Sequence, residues 1–552
     1  MLSNTLIFIF YFYFLFFSIL GYGFFILYYL NVNLRKLSIG LSGLAGFFCL
    51  SFISFVTHIF FSHNFSHNII IHILGILFFL FFFSKNFYLF EIKKLLIFII
   101  FFISALFISK NHEDFPYYHL PYMIHIVENK LQFGLGLLNI SFKTSSSLFY
   151  LQSTFYLPYV DFYLFHSANL IIFTFACIFF FDTFVDKKKS FFIRILASLS
   201  FVFLNVAFAR LGAFGTDRGG QVISFVLIVL LLDLFNKKNI ALENLKVLII
   251  LVFYIVTLKS YFLPYLLILL LLFVTKYKYL LKILYNFKII FLLTIFFLIF
   301  LFINFSISGC FLYPIKYSCI ENFSWSESSI RTAEHFSKWY ELWAKAGATP
   351  NYRVDNPEIY IQFFNWVPNW INNYFLGKGL DITFVVLGIS IIYVLFLRKK
   401  EVNNLGNKFY LVYLFLIVLF IIWFNKHPDF RYGGYVIYAL LFFIPLSNYL
   451  SKFCKKNNKN FFLITMILAI FFFNSKNLIR IIGEISSKSE TYFFKNFPFF
   501  NIKNPNYTVI LLNDNSKAYF VNNEMCWATP SPCLSATLKR KTVNNYQIYY
   551  NE

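Results

Sequence analysis

Four short polar passages in an otherwise apolar chain hold the side chains that could do chemistry. The longest runs from Asn111 to Ser147 and carries Glu113 and Asp114 side by side, with His112, His119 and His125 nearby. The second, ARLGAFGTDRGG, holds Arg210, Asp217 and Arg218. The third, TLKSYFLP, holds Lys259, and the fourth, NKHPDFRYGG, holds His427, Asp429 and Arg431. Charged groups beside a membrane bundle are costly to keep, so they are functional candidates by default. Carboxylates set among fixed cations suit group transfer from a phosphate-linked donor. A carboxylate can deprotonate or orient an acceptor, alone or with a divalent cation, which Asp114 would be placed to bind. Arginine grips a departing phosphate with two prongs and lysine with a point charge, and a water-poor interface strengthens both.

Each candidate also has a plain structural reading. Asp114 could be a solvated loop residue or cap the helix that starts near Pro116. His119 and His125 could be ordinary interfacial polar residues. Asp217 and Arg218 could form a local ion pair. Lys259 could snorkel to the interface, and Arg431 could cap a helix or meet lipid phosphate.

The elements that must position these groups are membrane helices. The chain has 552 residues, is 59% hydrophobic and only 13% charged, with a mean hydropathy of +0.70. That excludes a set of soluble domains and indicates an all-α polytopic membrane protein. About fourteen apolar stretches are candidate spans: 5–30, 38–62, 68–84, 93–109, 166–181, 190–209, 219–235, 240–257, 261–275, 287–305, 381–397, 409–425, 433–449 and 460–474. Several are short, so about 12–14 spans are expected. Residues 1–30 lack a basic leader and read as the first span rather than a cleaved signal. The 84 phenylalanines are no sign of a stacking site, since Phe, Ile, Tyr, Asn and Lys share AT-rich codons.

The net charge of +23 resides largely in short loops between spans, such as Arg35-Lys36, Lys187-Lys188-Lys189 and Arg398-Lys399-Lys400. Every second loop is basic, which makes those loops cytoplasmic and gives no reason to expect nucleic acid. The other face receives 110–165, 306–380 and the tail from about 475, so chemistry is expected there. The implied divisions are spans over 1–109, a first outer loop over 110–165, spans over 166–305, an outer domain over 306–380, spans over 381–474 and an outer tail over 475–552. Residues 148–165 read as a re-entrant or interfacial piece.

The run SESSIRTAEHFSKWYELWAKAG reads as a helix. Trp325, Trp339, Trp343, Trp366 and Trp370 suit an amphipathic layer on the membrane surface. In the tail, YTVILLN reads as a strand of a small α/β or β subdomain. Two cysteine pairs, Cys310/Cys319 and Cys526/Cys533, fall in outer segments where they could be bridged or free. Neither has the spacing of a zinc or redox motif. No Walker loop, GxSxG or HExxH is present, and GLGLLN at Gly134 reads as a turn.

The passages HEDFPYYHLPYM and SSSLFYLQSTFYLP, then TLKSYFLP, HPDFRYGG and CWATPSPC, resemble in order the multi-spanning glycosyltransferases of the type C fold. These include protein mannosyltransferases, the aminoarabinose transferase of lipid A and bacterial envelope proteins. The resemblance implies a polyprenyl-phosphate-linked sugar donor and an envelope glycan, lipid or protein acceptor, at the periplasmic face of a bacterial inner membrane. It implies that the catalytic carboxylate is Asp114, or Glu113. Lys259 and Arg431 match donor-phosphate contacts, and His119, Asp217, Arg218 and Asp429 complete the expected substrate set. The chain departs from the family plan in placing the acidic loop after about the fourth span rather than the first. Two alternatives stay open. An O-antigen-type polymerase or ligase would rely on residues such as Arg331, His335 and Arg353. A transporter or flippase would show internal repeats and charges deep in spans; no repeat is evident, and few charges lie deep in spans, with Arg194 and Asp233 near the cytoplasmic ends.

Overall fold

The computed structural model describes residues 2–86, 89–108, 112–209, 211, 214–236, 241–348, 354–395, 409–453, 459–486, 496–522, 525–534 and 538–551. Each of the fourteen apolar stretches forms a helix. Among the described residues, ten helices are long and apolar enough to cross a membrane. The helices Leu89–Phe102, Phe191–Ala207 and Leu242–Val256 are shorter, and Leu267–Leu284 carries lysines. The last helix, Lys459–Ser486, continues well past the expected end of its span at 474. The chain is an all-α polytopic membrane protein with a small C-terminal β portion.

A backbone in lipid must satisfy its own polar groups, which only complete helices do here. The helix Asp217–Asn236 lies at the centre of the bundle, buried over 94% of its apolar window, while the window of Phe65–Asn86 is 28% buried. Close helix packing at the N-terminus depends on missing side chains. A Cβ on Gly21 would lie 1.9 Å from the Gly75 carbonyl oxygen, and one on Gly46 2.0 Å from that of Ile19. Small residues of this kind let helix backbones touch in a bilayer.

The two ends of the bundle differ in chemistry. At one end the basic loops meet. Arg35 donates to the Lys85 carbonyl at 2.8 Å, Lys246 to the Leu30 carbonyl at 2.7 Å, and Lys94 pairs with Asp182 at 2.8 Å. Lys189 pairs with Asp233 at the same end.

The opposite end holds the long connections, and the first of these is an inner layer rather than an open loop. Residues 118–127 and the short helix Ser147–Ser153 are buried throughout. Gly134, at φ +78°, makes the turn expected of GLGLLN. The Trp-rich run forms the helix Ser329–Lys345. Trp366 and Trp370 depart from the expected surface layer. They are 0% and 5% exposed and pack edge to face, with the Trp366 ring also 5.0 Å from that of Phe424. Both indoles find backbone acceptors, which lets them bury their full apolar area.

Strand β1 (Tyr507–Leu511) pairs antiparallel with β2 (Lys517–Val521), and β2 pairs in parallel with β3 (Cys533–Leu534). Strands β4 (Lys539–Val543) and β5 (Tyr546–Tyr550) form a separate hairpin. Both cysteine pairs, Cys310–Cys319 and Cys526–Cys533, are disulfide-bonded.

Candidate active site

Three of the four polar passages meet the fourth at one point. Asp114 Oδ2 accepts a hydrogen bond from Arg431 Nη2 at 2.7 Å, across 317 residues of sequence. Arg431 Nε donates to Asp217 Oδ2 at 2.6 Å. Lys259 Nζ stands 3.8 Å from Asp217 Oδ1, which also accepts from the Tyr261 hydroxyl at 3.3 Å. Two carboxylates and two cations thus form one neutral group. Their side chains are 25% (Asp114), 10% (Asp217), 31% (Arg431) and 17% (Lys259) exposed.

Each member is held from below. Asp114 precedes a π-helical turn, Phe115–His119, and makes no capping bond to it, so its carboxylate is left for Arg431. Asp217 heads the central helix Asp217–Asn236. Lys259 follows Thr257, whose hydroxyl and carbonyl bond Ser147 at 2.8 and 3.0 Å and tie this passage to the first connection. Arg431 rides on a loop fixed by three aromatic donors. Trp370 donates to the Pro428 carbonyl and Trp423 to that of Asp429, each at 2.8 Å. The Tyr374 hydroxyl donates to Asp429 Oδ1 at 2.5 Å and accepts from Phe430 N at 2.8 Å. Gln221 donates to the Arg431 carbonyl at 2.9 Å. Gly433, at φ +92°, turns the chain into the next helix in a conformation few other residues adopt.

Electrostatics follow from this geometry. Burial alone would raise the Asp114 carboxyl, but His112, with Nδ1 3.1 Å from Oδ2, and the Arg431 guanidinium hold it well below the usual carboxylate range. Burial opposes the Arg431 charge, yet Asp217 and Asp114 hold its pKa well above the ordinary value. Burial pushes His119 down to about 3, so its imidazole is neutral. Among the described residues that ring has no hydrogen-bond partner, and Gly215 leaves room for it, since a Cβ there would lie 3.2 Å from Cε1.

The other expected residues fall outside the ion cluster itself. Glu113 is exposed and unpaired among the described residues, which leaves Asp114 as the placed carboxylate. Asp429 is 4% exposed and caps the turn Phe430–Tyr432, accepting from Arg431 N at 2.9 Å, so it shapes the loop. Arg218 does not pair with Asp217. Its guanidinium lies 5.0 Å from the Phe208 ring and 4.9 Å from the Tyr435 ring, and Nη1 is buried without a partner among the described residues. His125 lies along the helix Leu120–Glu128, bonded to Ser531 Oγ at 2.5 Å. Arg331 and His335 are exposed on Ser329–Lys345, while Arg210 and Arg353 lie outside the described residues.

Tyrosines around the cluster went unrecognised in the sequence. Tyr118 and Tyr432 are held well above the ordinary phenol value, chiefly by burial, and Asp217 adds to this in both cases, while the Tyr261 hydroxyl donates to Asp217 itself. Tyr340, from the Trp-rich helix, is pushed up to about 12 by burial and by Asp114. Trp343 on the same helix reaches the Tyr432 ring at 6.1 Å. Lys345 anchors that helix, pairing with Glu341 at 2.6 Å and donating to the Ile361 carbonyl at 2.9 Å. Adjacency to Lys259 and Arg431 was the available signal for Tyr261 and Tyr432.

Among the described residues no group of three or more His, Cys, Asp or Glu is placed to hold a metal ion. The Arg431 guanidinium fills the gap between the two carboxylates, so in this arrangement they do not form a chelate.

Residues 5–438 match the model of a family described as a domain of unknown function (DUF8201), and the chain belongs to that family. No curated protein and no solved structure matches it significantly.

Proposed function

We propose that this member of the DUF8201 family is a membrane glycosyltransferase. It would move a sugar from a polyprenyl-phosphate-linked donor to an envelope glycan, lipid or protein acceptor, at the outer face of a bacterial inner membrane. The observation that carries the reading is Arg431 held between Asp114 and Asp217, with Lys259 beside them. A carboxylate for the acceptor and cations for a phosphate stand together, ringed by tyrosines suited to a sugar.

In the proposed reaction the acceptor hydroxyl or amide attacks the sugar's anomeric carbon. A bond forms from acceptor to sugar as the bond from sugar to phosphate oxygen breaks. The acceptor proton passes to Asp114, and the electron pair leaves with polyprenyl phosphate. A single displacement of this kind inverts the anomeric centre. Tied to Arg431, Asp114 is a weak base. An arriving phosphate competes for the same guanidinium, and loosening the 2.7 Å contact would raise the basicity of Asp114 when donor is bound. Arg218 has donor capacity to spare, and Lys259 supplies a second charge.

The test is purified protein in lipid, offered a panel of polyprenyl-phosphate sugars with envelope extract as acceptor. Acceptor-dependent release of polyprenyl phosphate is the expected result. The proposal fails if no donor is turned over.

A further inference from the structure

The loop closed by Cys526 and Cys533 lies along the segment that carries Asp114. At one end Trp527 N donates to the Pro116 carbonyl at 3.1 Å, and its ring meets Phe115 edge-on at 6.2 Å. At the other end Ser531 N donates to Glu128 Oε2 at 2.7 Å, and Ser531 Oγ bonds His125 Nδ1 at 2.5 Å. The loop therefore grips the segment at both ends of 115–128.

The grip reaches further than one segment. The Phe115 ring packs, tilted by 37° and with its centroid 4.2 Å away, against that of Phe214, which leads through Gly215 and Thr216 to Asp217. Trp527, Phe115 and Phe214 thus form a column between the tail and the head of the central helix. Trp527 holds this position at φ +50°, a left-handed backbone that bulky residues rarely adopt. Such a conformation persists only when its surroundings enforce it. Here the enforcing contacts are the bond to Cys533 made by its neighbour Cys526, the Thr529 N–H on the Cys526 carbonyl at 2.9 Å, and the pairing of Cys533 with Tyr519.

We propose that the disulfide-closed loop Cys526–Cys533 is a clamp, with Trp527 and Ser531 as positioning residues, that sets Asp114 against Asp217 and Arg431. Its catalytic consequence rests on the transferase reading above. Trp527 touches no reacting atom in that reading and acts through its backbone bond to Pro116 and its ring contact with Phe115.

The experiment is hydrogen exchange over residues 113–128 in the full-length protein in lipid nanodiscs. Wild type is compared with Trp527→Ala, Trp527→Phe and the double variant Cys526→Ser/Cys533→Ser. The clamp predicts exchange at least about tenfold faster in Trp527→Ala and the double variant, and near wild type in Trp527→Phe. The helix Asp217–Asn236 keeps its protection in all of them. Unchanged exchange at 113–128 overturns the clamp, and so does a loss of protection spread over the whole chain. This readout needs no substrate, so failure of the transferase reading leaves it decisive. With a turned-over donor, Trp527→Ala lowers kcat at constant donor KM, and Trp527→Phe restores it. A rise in donor KM with kcat unchanged also counts against the clamp.

Discussion

Replacing Arg431 with alanine tests whether segments 317 residues apart meet. The guanidinium makes bonds of 2.7 and 2.6 Å to two carboxylates. A hydrogen bond to a charged group contributes about 1.5–3 kcal/mol, and removing one partner of a buried pair costs about 3–5 kcal/mol. With Arg431 31% and Asp114 25% exposed, solvent screens part of this, and the loss falls toward the low end, about 3 kcal/mol. The orphaned carboxylates should account for much of it, Asp217 most, since it is 10% exposed. Arg431→Ala combined with Asp217→Asn should therefore recover stability. A double-mutant cycle should give a coupling of about 2 kcal/mol for Asp217 and about 1 kcal/mol for Asp114. Equilibrium unfolding in mixed micelles measures all the required variants. Couplings below about 0.5 kcal/mol at both positions would refute the convergence, because independent sites add within that margin.

Three further outcomes are expected. Burial holds both His119 and His125 down to about 3. Between there and the unfolded value near 6.5 the unfolded chain binds more protons, so stability falls with falling pH, by about 2 kcal/mol per histidine at pH 5. Thermal midpoints from pH 7.5 to 5 check this, and a flat profile contradicts it. Tyr374→Phe removes the hydroxyl that serves both Asp429 and Phe430 N, which should cost about 1–3 kcal/mol and lower turnover as the Arg431 loop shifts. Wild-type unfolding and turnover in that variant would show that the loop is fixed otherwise. Gly21→Ala places a methyl 1.9 Å from the Gly75 oxygen and should destabilise by about 1–3 kcal/mol; an unchanged midpoint would mean that these helices are not in contact.

The helices were legible because hydrophobic length is a local signal, and all fourteen apolar stretches formed one. Asp114, Asp217, Lys259 and Arg431 were also legible, since charge is scarce in this chain and each lies beside a span. Their roles inside the cluster were not. Nothing in NKHPDFRYGG says that Asp429 faces Tyr374 while Arg431 faces two carboxylates, because the packing of Trp370 and Trp423 decides it. The tyrosines were hidden by number, with 38 in the chain. Trp366 and Trp370 looked like interface anchors because a tryptophan suits either a membrane surface or a core with a spare carbonyl. The clamp by Trp527 joins the two most distant outer segments, and no spacing rule connects them.

The most direct measurement of the central claim compares wild type with Asp114→Asn in lipid, following release of polyprenyl phosphate from whichever donor the wild type accepts. The substitution keeps the shape of the side chain and removes the base. Turnover should fall by about 10²–10⁴-fold, the usual contribution of a positioned general base. Turnover within about threefold of wild type would contradict the claim, since a positioned base contributes far more. It would move the chemistry away from the cluster of Asp114, Asp217, Lys259 and Arg431.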